Sequence, residues 1–282
     1  MAFTTLVSAD TLKTHLHDPS WVVVDCRFSL DDTERGRRAY AEGHVSGAYY
    51  AHLDEVLSGP ILPGKTGRHP LPDPEEFARA VAGWGVTDHT QVVVYDDAGG
   101  GVASRLWWLL RWIGHERVAL LDGGWNAWQQ AGGSVDTATP PAREGAVTVR
   151  LDAGLVAEAE EVASRREAGD FVLLDARAYE RFAGRVEPID PVAGHIPGAR
   201  SLPFGGNLDI DGRFLPPERL KARFAPLFEG VEESDVVCYC GSGVTAAHNL
   251  LAMAHAGYPG ARLYPGSWSE WITDPDRPVA RE

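Results

Sequence analysis

A cysteine set in a glycine-bounded turn is the part of this chain best suited to chemistry. The run Asp235-Val236-Val237-Cys238-Tyr239 reads as a buried strand, and Cys240-Gly241-Ser242-Gly243-Val244-Thr245 follows it directly. From Val244 to His255 the pattern is helical. Strand, tight loop and helix start make a cradle in which backbone N–H groups and the positive end of the helix face the loop's mouth. A thiol at that mouth is held as thiolate and becomes a nucleophile near neutral pH. The plainer reading, a small buried hydrophobe at a strand end, gives no reason for glycine on both sides of Ser242. Cys240 is therefore expected to be a covalent nucleophile facing an opening.

The other cysteines, Cys26 and Cys238, sit within apolar strand-like runs and read as core residues. Three cysteines are too few, and odd in number, for a disulfide framework, which suits a reducing, cytoplasmic setting. Cys238, Cys240 and His248 could be imagined as metal ligands, but no CxxC pair supports it, so no metal is expected. A net charge of −14 argues against nucleic acid and anionic membranes as partners. It also means that a small anionic substrate needs local positive charge to draw it in. The first residues lack the basic and apolar regions of a signal peptide, and no apolar run reaches membrane-spanning length. With 44% hydrophobic and 23% charged residues the composition is that of a soluble globular protein.

The elements that must position Cys240 come in order along the chain. Helices are expected at 8–16, 75–82, 101–113, 155–167 and 217–224, and strands at 21–24, 91–95, 118–121 and 171–174. A further helix starts at Asp122-Gly123-Gly124-Trp125. Residues 31–38 read as a charged loop, 60–74 as a Pro/Gly-rich connector, and 132–145 as a linker. The tryptophans at 21, 107, 108, 112, 125, 128, 268 and 271 read as packing residues.

The same order then recurs roughly 150 residues later. Asp25-Cys26-Arg27 matches Asp175-Ala176-Arg177, Gly43-His44 to Ala48 matches Gly194-His195 to Ala199, and Gly124-Trp125 matches the region of Trp268. His44 and His195 occupy matching positions although only one half carries the cysteine loop, so their role is read as structural. One α/β unit has been duplicated, each copy a mostly parallel sheet with helices on both faces. The boundaries expected are 1–135 for the first domain, 136–150 for the linker and 151–282 for the second. Cys240 then lies at the carboxyl end of its strand, where such sheets bind ligands. Aligning Val93-Val94-Tyr95 with Val237-Cys238-Tyr239 puts Asp96 opposite Cys240, so the first half keeps the fold without the thiol.

These features together resemble the tandem rhodanese-domain sulfurtransferases, over nearly the whole chain. The loop Cys240 to Thr245 is similar to that of the 3-mercaptopyruvate branch, whereas thiosulfate-preferring members typically carry basic residues where Gly241 and Ser242 stand here. The resemblance implies an enzyme that takes sulfur from a small anionic donor as a Cys240 persulfide and passes it to a thiol such as thioredoxin, or to cyanide, without a cofactor. It implies loop binding by Gly241, Gly243, Val244 and Thr245, and a donor-carboxylate site at Arg181. A second family arginine is missing from Glu187-Pro188-Ile189-Asp190, or is replaced by Arg185. It also implies a proton relay of Ser242, His69 and Asp54, the last two drawn from the first half, which would put the site between domains.

Other readings of the same residues differ in what they predict. Thiosulfate as donor needs more positive charge at the loop. A non-catalytic sulfur carrier holds a persulfide without turning over small donors. A fold-related cysteine phosphatase needs an arginine about where Ala246 stands. His69 and Asp54 can also be read as a loop histidine and a solvated acid, and Arg181 as a surface ion-pairing residue.

Overall fold

The computed structural model describes residues 2–166, 168 and 170–282. It divides into two compact units that are not continuous in sequence. The first holds residues 1–59, 72–152 and 209–214, and the second holds 60–71, 153–208 and 215–282. Each repeat thus gives a short segment to the other repeat's unit, which uninterrupted boundaries at 135 and 151 do not capture.

The first unit runs β1 (Leu6–Val7), α1 (Ala9–His15), β2 (Trp21–Asp25), α2 (Arg35–Glu42), β3 (His44–Val45), β4 (Tyr49–Tyr50), α3 (Pro74–Ala82), β5 (Gln91–Tyr95), α4 (Ala103–Trp112), β6 (Val118–Leu121), α5 (Gly124–Gln130) and β7 (Val135–Asp136). Its five-stranded sheet has the order β1-β6-β5-β2-β4, and each pair in it is parallel. Ser8 caps α1 by accepting the Thr11 N–H, and Asp73 caps α3 through the N–H groups of Glu75 and Glu76. Strands β5 and β6 are buried along their whole length, which is why they read as unbroken apolar runs. Residues 31–38 are not all loop, because α2 begins at Arg35. Its core face is small: Tyr40 is buried, donates its hydroxyl to the Ala48 carbonyl at 2.7 Å and stacks on His44. One buried aromatic among arginines and glutamates gives little periodic signal. The expected linker lies along this unit, tied by bonds such as Arg143 N–H to the Gly83 carbonyl at 3.0 Å and Arg150 N–H to the Ile113 carbonyl at 2.9 Å.

The second unit contains α6 (Ala159–Arg165), β8 (Val172–Asp175), α7 (Tyr179–Phe182), β9 (Arg200–Ser201), α8 (Pro217–Phe224), β10 (Val236–Tyr239), α9 (Ala246–His255), β11 (Arg262–Leu263) and α10 (Ser267–Trp271). The expected end of the first of these helices, Glu167, lies outside the described residues. The sheet order is β11-β10-β8-β9, again with parallel pairs. Strand β10 is interior and buried throughout, so the backbone that follows it starts from a fixed point.

The repeat is visible atom by atom. Arg27 and Arg177 each grip the aspartate two residues back, with Nη2 to Oδ2 at 2.6 Å in both units. Each guanidinium also lies over a tryptophan ring, Trp125 in one unit and Trp268 in the other. His44 and His195 each place Nδ1 2.8 Å from a backbone carbonyl, of Tyr40 and Phe182, and stack on that residue's ring. These groups pin the strand ends in both halves, independently of any thiol.

The units differ where β5 and β10 end. After β5, Asp96 turns its buried carboxylate inward and accepts four backbone N–H bonds, from Ala98, Gly100, Val102 and Ala103, all at 2.8 Å. Burial pushes this carboxyl up from its ordinary value, and the N–H donors pull against that. The first unit's amide cup is therefore filled by the chain's own anion.

Candidate active site

After β10 the chain makes the same kind of cup around sulfur. The Gly243 N–H points at Cys240 Sγ, 3.2 Å away. Gly243 has φ 77°, and a Cβ there would lie 2.2 Å from the Pro265 carbonyl oxygen. Only glycine gives both that turn and that approach. Helix α9 opens at Ala246, just past the loop, so its positive end adjoins the cup.

The segment before and within α10 fixes the loop from the other side. Trp268 N–H bonds the Cys240 carbonyl at 3.0 Å, and Ser269 N–H bonds the Gly241 carbonyl at 2.9 Å. Ser267 has φ 55°, a left-handed conformation that is strained for a residue with a side chain. Its hydroxyl explains the strain: it accepts the Cys240 N–H at 3.1 Å and donates to the Tyr264 carbonyl at 2.9 Å. The first unit has Gly124 in this place, φ 54°, with Trp125 N–H on the Asp96 carbonyl at 2.9 Å. Setting Gly123-Gly124-Trp125 beside Gly266-Ser267-Trp268 would have exposed this serine as a non-glycine in a glycine position.

Cys240 itself is 2% exposed. The expectation of a thiol open at the loop's mouth is thus corrected to one seated inside a tight cup. Cys26 and Cys238 are buried in or beside strands, where burial pushes their thiols well above the ordinary range.

Other expected site residues fall into two groups. Ser242 and His69 are both buried and share a hydrogen bond, Oγ to Nδ1, of 2.7 Å. This contact lies inside the second unit, because segment 60–71 belongs there despite its position in the first repeat. Arg68 N–H anchors the segment on Ser269 Oγ at 3.0 Å. Asp54 is exposed in the first unit, where its N–H bonds His52 Nδ1 at 3.2 Å.

Arg181, on α7, is half-buried. Its Nε and Nη2 meet Glu187 at 3.1 and 2.8 Å, and Nη2 also reaches Asp190 at 3.1 Å. Arg68 forms an ion pair with the same Asp190, and Arg177 Nη1 lies 3.3 Å from Glu187. Three guanidiniums and two carboxylates are thereby chained together. Burial raises the Asp190 carboxyl, against the pull of Arg68 and with a push from Glu187. Burial acts on Glu187 the same way, but hydrogen bonds from Arg181 and from the N–H groups of Asp190 and Ile189 outweigh it and hold this carboxyl below its usual range.

Arg185 is not the second guanidinium of the loop. It is exposed, with its guanidinium over the Tyr179 ring at 5.4 Å. The second guanidinium beside Gly241 is that of Arg68. A Cβ on Gly241 would lie 2.9 Å from Arg68 Nη2 and 3.6 Å from both Arg181 Nη atoms. Sequence reasoning passed over Arg68, since only the packing of 60–71 brings it to this loop.

Among the described residues the grouping with metal-ligand spacing is Glu34, His52 and Glu55, and it does not involve Cys240. Arg37 pairs with both glutamates, and His52 Nε2 lies 3.0 Å from the Thr33 carbonyl. No described helix is long and apolar enough to cross a membrane.

The model of the rhodanese-like domain matches this chain twice, at residues 8–131 and 158–274. A Pseudomonas aeruginosa protein named "Probable 3-mercaptopyruvate sulfurtransferase" is 50% identical over 281 residues, 99% of each chain. The thiosulfate sulfurtransferase of Rattus norvegicus is 34% identical over 272 residues, 94% of this chain and 89% of that one. Among solved structures, SseA from Escherichia coli, described as a 3-mercaptopyruvate sulfotransferase with the rhodanese fold, superposes with a TM-score of 0.80. It is 33% identical, and the match covers 95% of this chain and all of that one.

Proposed function

The chain belongs to the rhodanese family as a tandem pair of rhodanese-like domains, and from this we propose that it transfers sulfur from 3-mercaptopyruvate to a thiol acceptor through Cys240. It is a sulfurtransferase. The observation that carries the donor assignment is the loop itself: Gly241 and Ser242 are neutral, and positive charge comes from guanidiniums beside the loop rather than from within it.

In this reading the Cys240 thiolate attacks the mercapto sulfur of the donor. The S–S bond forms as the C–S bond breaks, and the electron pair is left on carbon as the pyruvate enolate. The enolate takes the proton the sulfur carried, giving pyruvate and an anionic persulfide. Amides of the Gly241–Thr245 loop, beginning with Gly243 N–H, hold that anion. The arginines bind the donor's carboxylate. His69 and Ser242, 2.7 Å apart, move the proton between thiol, enolate and solvent. A thiol such as thioredoxin, or cyanide in the test tube, takes the outer sulfur and restores the thiolate. No step calls for a metal or organic cofactor, and three free cysteines suit action in a reducing cytosol.

Turnover of 3-mercaptopyruvate and thiosulfate with cyanide as acceptor decides the donor. We expect the higher kcat/KM for 3-mercaptopyruvate, and the reverse order would overturn the assignment. For the relay, His69→Ala is expected to slow persulfide formation about tenfold to a hundredfold in a single-turnover measurement. An unchanged rate removes His69 from the reaction.

A further inference from the structure

Two groups from one dipeptide meet the cysteine loop. His69 bonds Ser242, and its neighbour Arg68 brings Nη2 to Gly241. We propose that Arg68 is a specificity-determining residue, acting with Arg181 to bind the donor's anionic group, and that Asp190 is the positioning residue that aims it.

Gly241 carries no side chain beside the thiol. The space a side chain would occupy there is held by a guanidinium: a Cβ would lie 2.9 Å from Arg68 Nη2. The loop thus takes its charge from outside, where it would otherwise need a basic residue of its own. Asp190, at 3% side-chain exposure, pairs with Arg68 Nη1, while the Arg68 side chain keeps 26% of its surface. One edge of the fork is therefore anchored and the other is turned to the loop within reach of solvent. Arg181 has Nε and Nη2 on Glu187 and Nη2 also on Asp190, and both Nη atoms lie 3.6 Å from the same point, so Nη1 is the donor it turns to the loop. Two planar guanidiniums converging on one spot suit a carboxylate, whose two oxygens each accept a charge-assisted bond. The pairing also limits the site: the acids that aim the arginines cancel much of their charge, which favours a singly charged donor over a doubly charged one. In a chain of net charge −14 such a local exception is what an anion needs.

The proposal rests on the sulfurtransferase reading only for the donor's identity, so its test includes a probe that needs no sulfur donor. Iodoacetate and iodoacetamide alkylate the same thiol and differ in charge. Their rates at Cys240 are followed by mass spectrometry of its peptide. In the parent, iodoacetate is favoured relative to its ratio with a free thiol. In Arg68→Met/Asp190→Asn, which leaves no uncompensated buried carboxylate, the iodoacetate-to-iodoacetamide ratio is expected to fall about tenfold. KM for 3-mercaptopyruvate rises by a similar factor with kcat changed less than about threefold. Arg68→Lys restores part of both. An unchanged ratio and KM would overturn the proposal, and so would an equal loss with both reagents, because that marks a purely structural anchor. If the parent turns over neither sulfur donor the functional reading fails, yet the alkylation ratio still decides the role of Arg68.

Discussion

Cys240→Ser is expected to fold normally and to lose sulfur transfer by about a thousandfold or more. The substitution is close to isosteric in a position that is 2% exposed, so the backbone bonds that Cys240 accepts from Trp268 and donates to Ser267 have no reason to change. What changes is the atom. A hydroxyl is not ionised near neutral pH, and its oxygen cannot store a sulfur as a persulfide does. After incubation with donor, the parent chain should gain the mass of one sulfur on the Cys240 peptide, and the serine variant should gain none. Transfer at the parent's rate by the variant would refute the persulfide route.

The second large effect is expected at Gly243, which differs from Cys240 in taking no part in the chemistry through a side chain. Gly243→Ala places an L residue at φ 77°, a conformation costing on the order of 1–2 kcal/mol. The added Cβ also meets the Pro265 carbonyl oxygen at 2.2 Å and two further Pro265 backbone atoms at 2.9 Å. Backbone cannot swing away as a side-chain tip can, so the loop or the 264–266 turn must move. Either shift withdraws the Gly243 N–H from Cys240 Sγ. The variant is expected to unfold several degrees lower and to transfer sulfur about a hundredfold more slowly. Thermal melts and kcat/KM on the same preparation check both. Normal values for both would mean that the cup's shape is not what makes the thiol useful. Gly241→Ala is the control, since its Cβ meets the far end of a flexible arginine at 2.9 Å, and its stability should change little.

The parts of this fold that were legible in the sequence are those that obey a local rule. Strands 91–95 and 118–121 appear at their expected residues because short apolar runs between turn signals have one reasonable reading. The duplication showed because Asp-x-Arg and Gly-His recur at matching strand ends, and the structure gives both copies the same ion pair and the same stacked histidine. The two-residue strands β1, β4, β9 and β11 carry too few residues for any period, and exist only because a neighbouring strand pairs with them. Around Cys240, the loop glycines and Ser242 were legible through local chemistry. Arg68 was not, because packing across more than a hundred positions brings it in; Ser267 shows only when the two repeats are aligned residue by residue, where it stands opposite Gly124 and shares its positive φ. Arg185 stands near the missing arginine in sequence, whereas the loop's second guanidinium comes from position 68.

The exchange of segments between repeats has a consequence for how such a protein can be divided. A gene cut at the linker would yield a fragment, 151–282, that keeps the thiol and Arg181 but leaves His69 and Arg68 behind on the other product. Segments 60–71 and 209–214 each belong to the unit built mainly from the other repeat. A transplanted second repeat would lack the segment that brings two side chains to its cysteine loop.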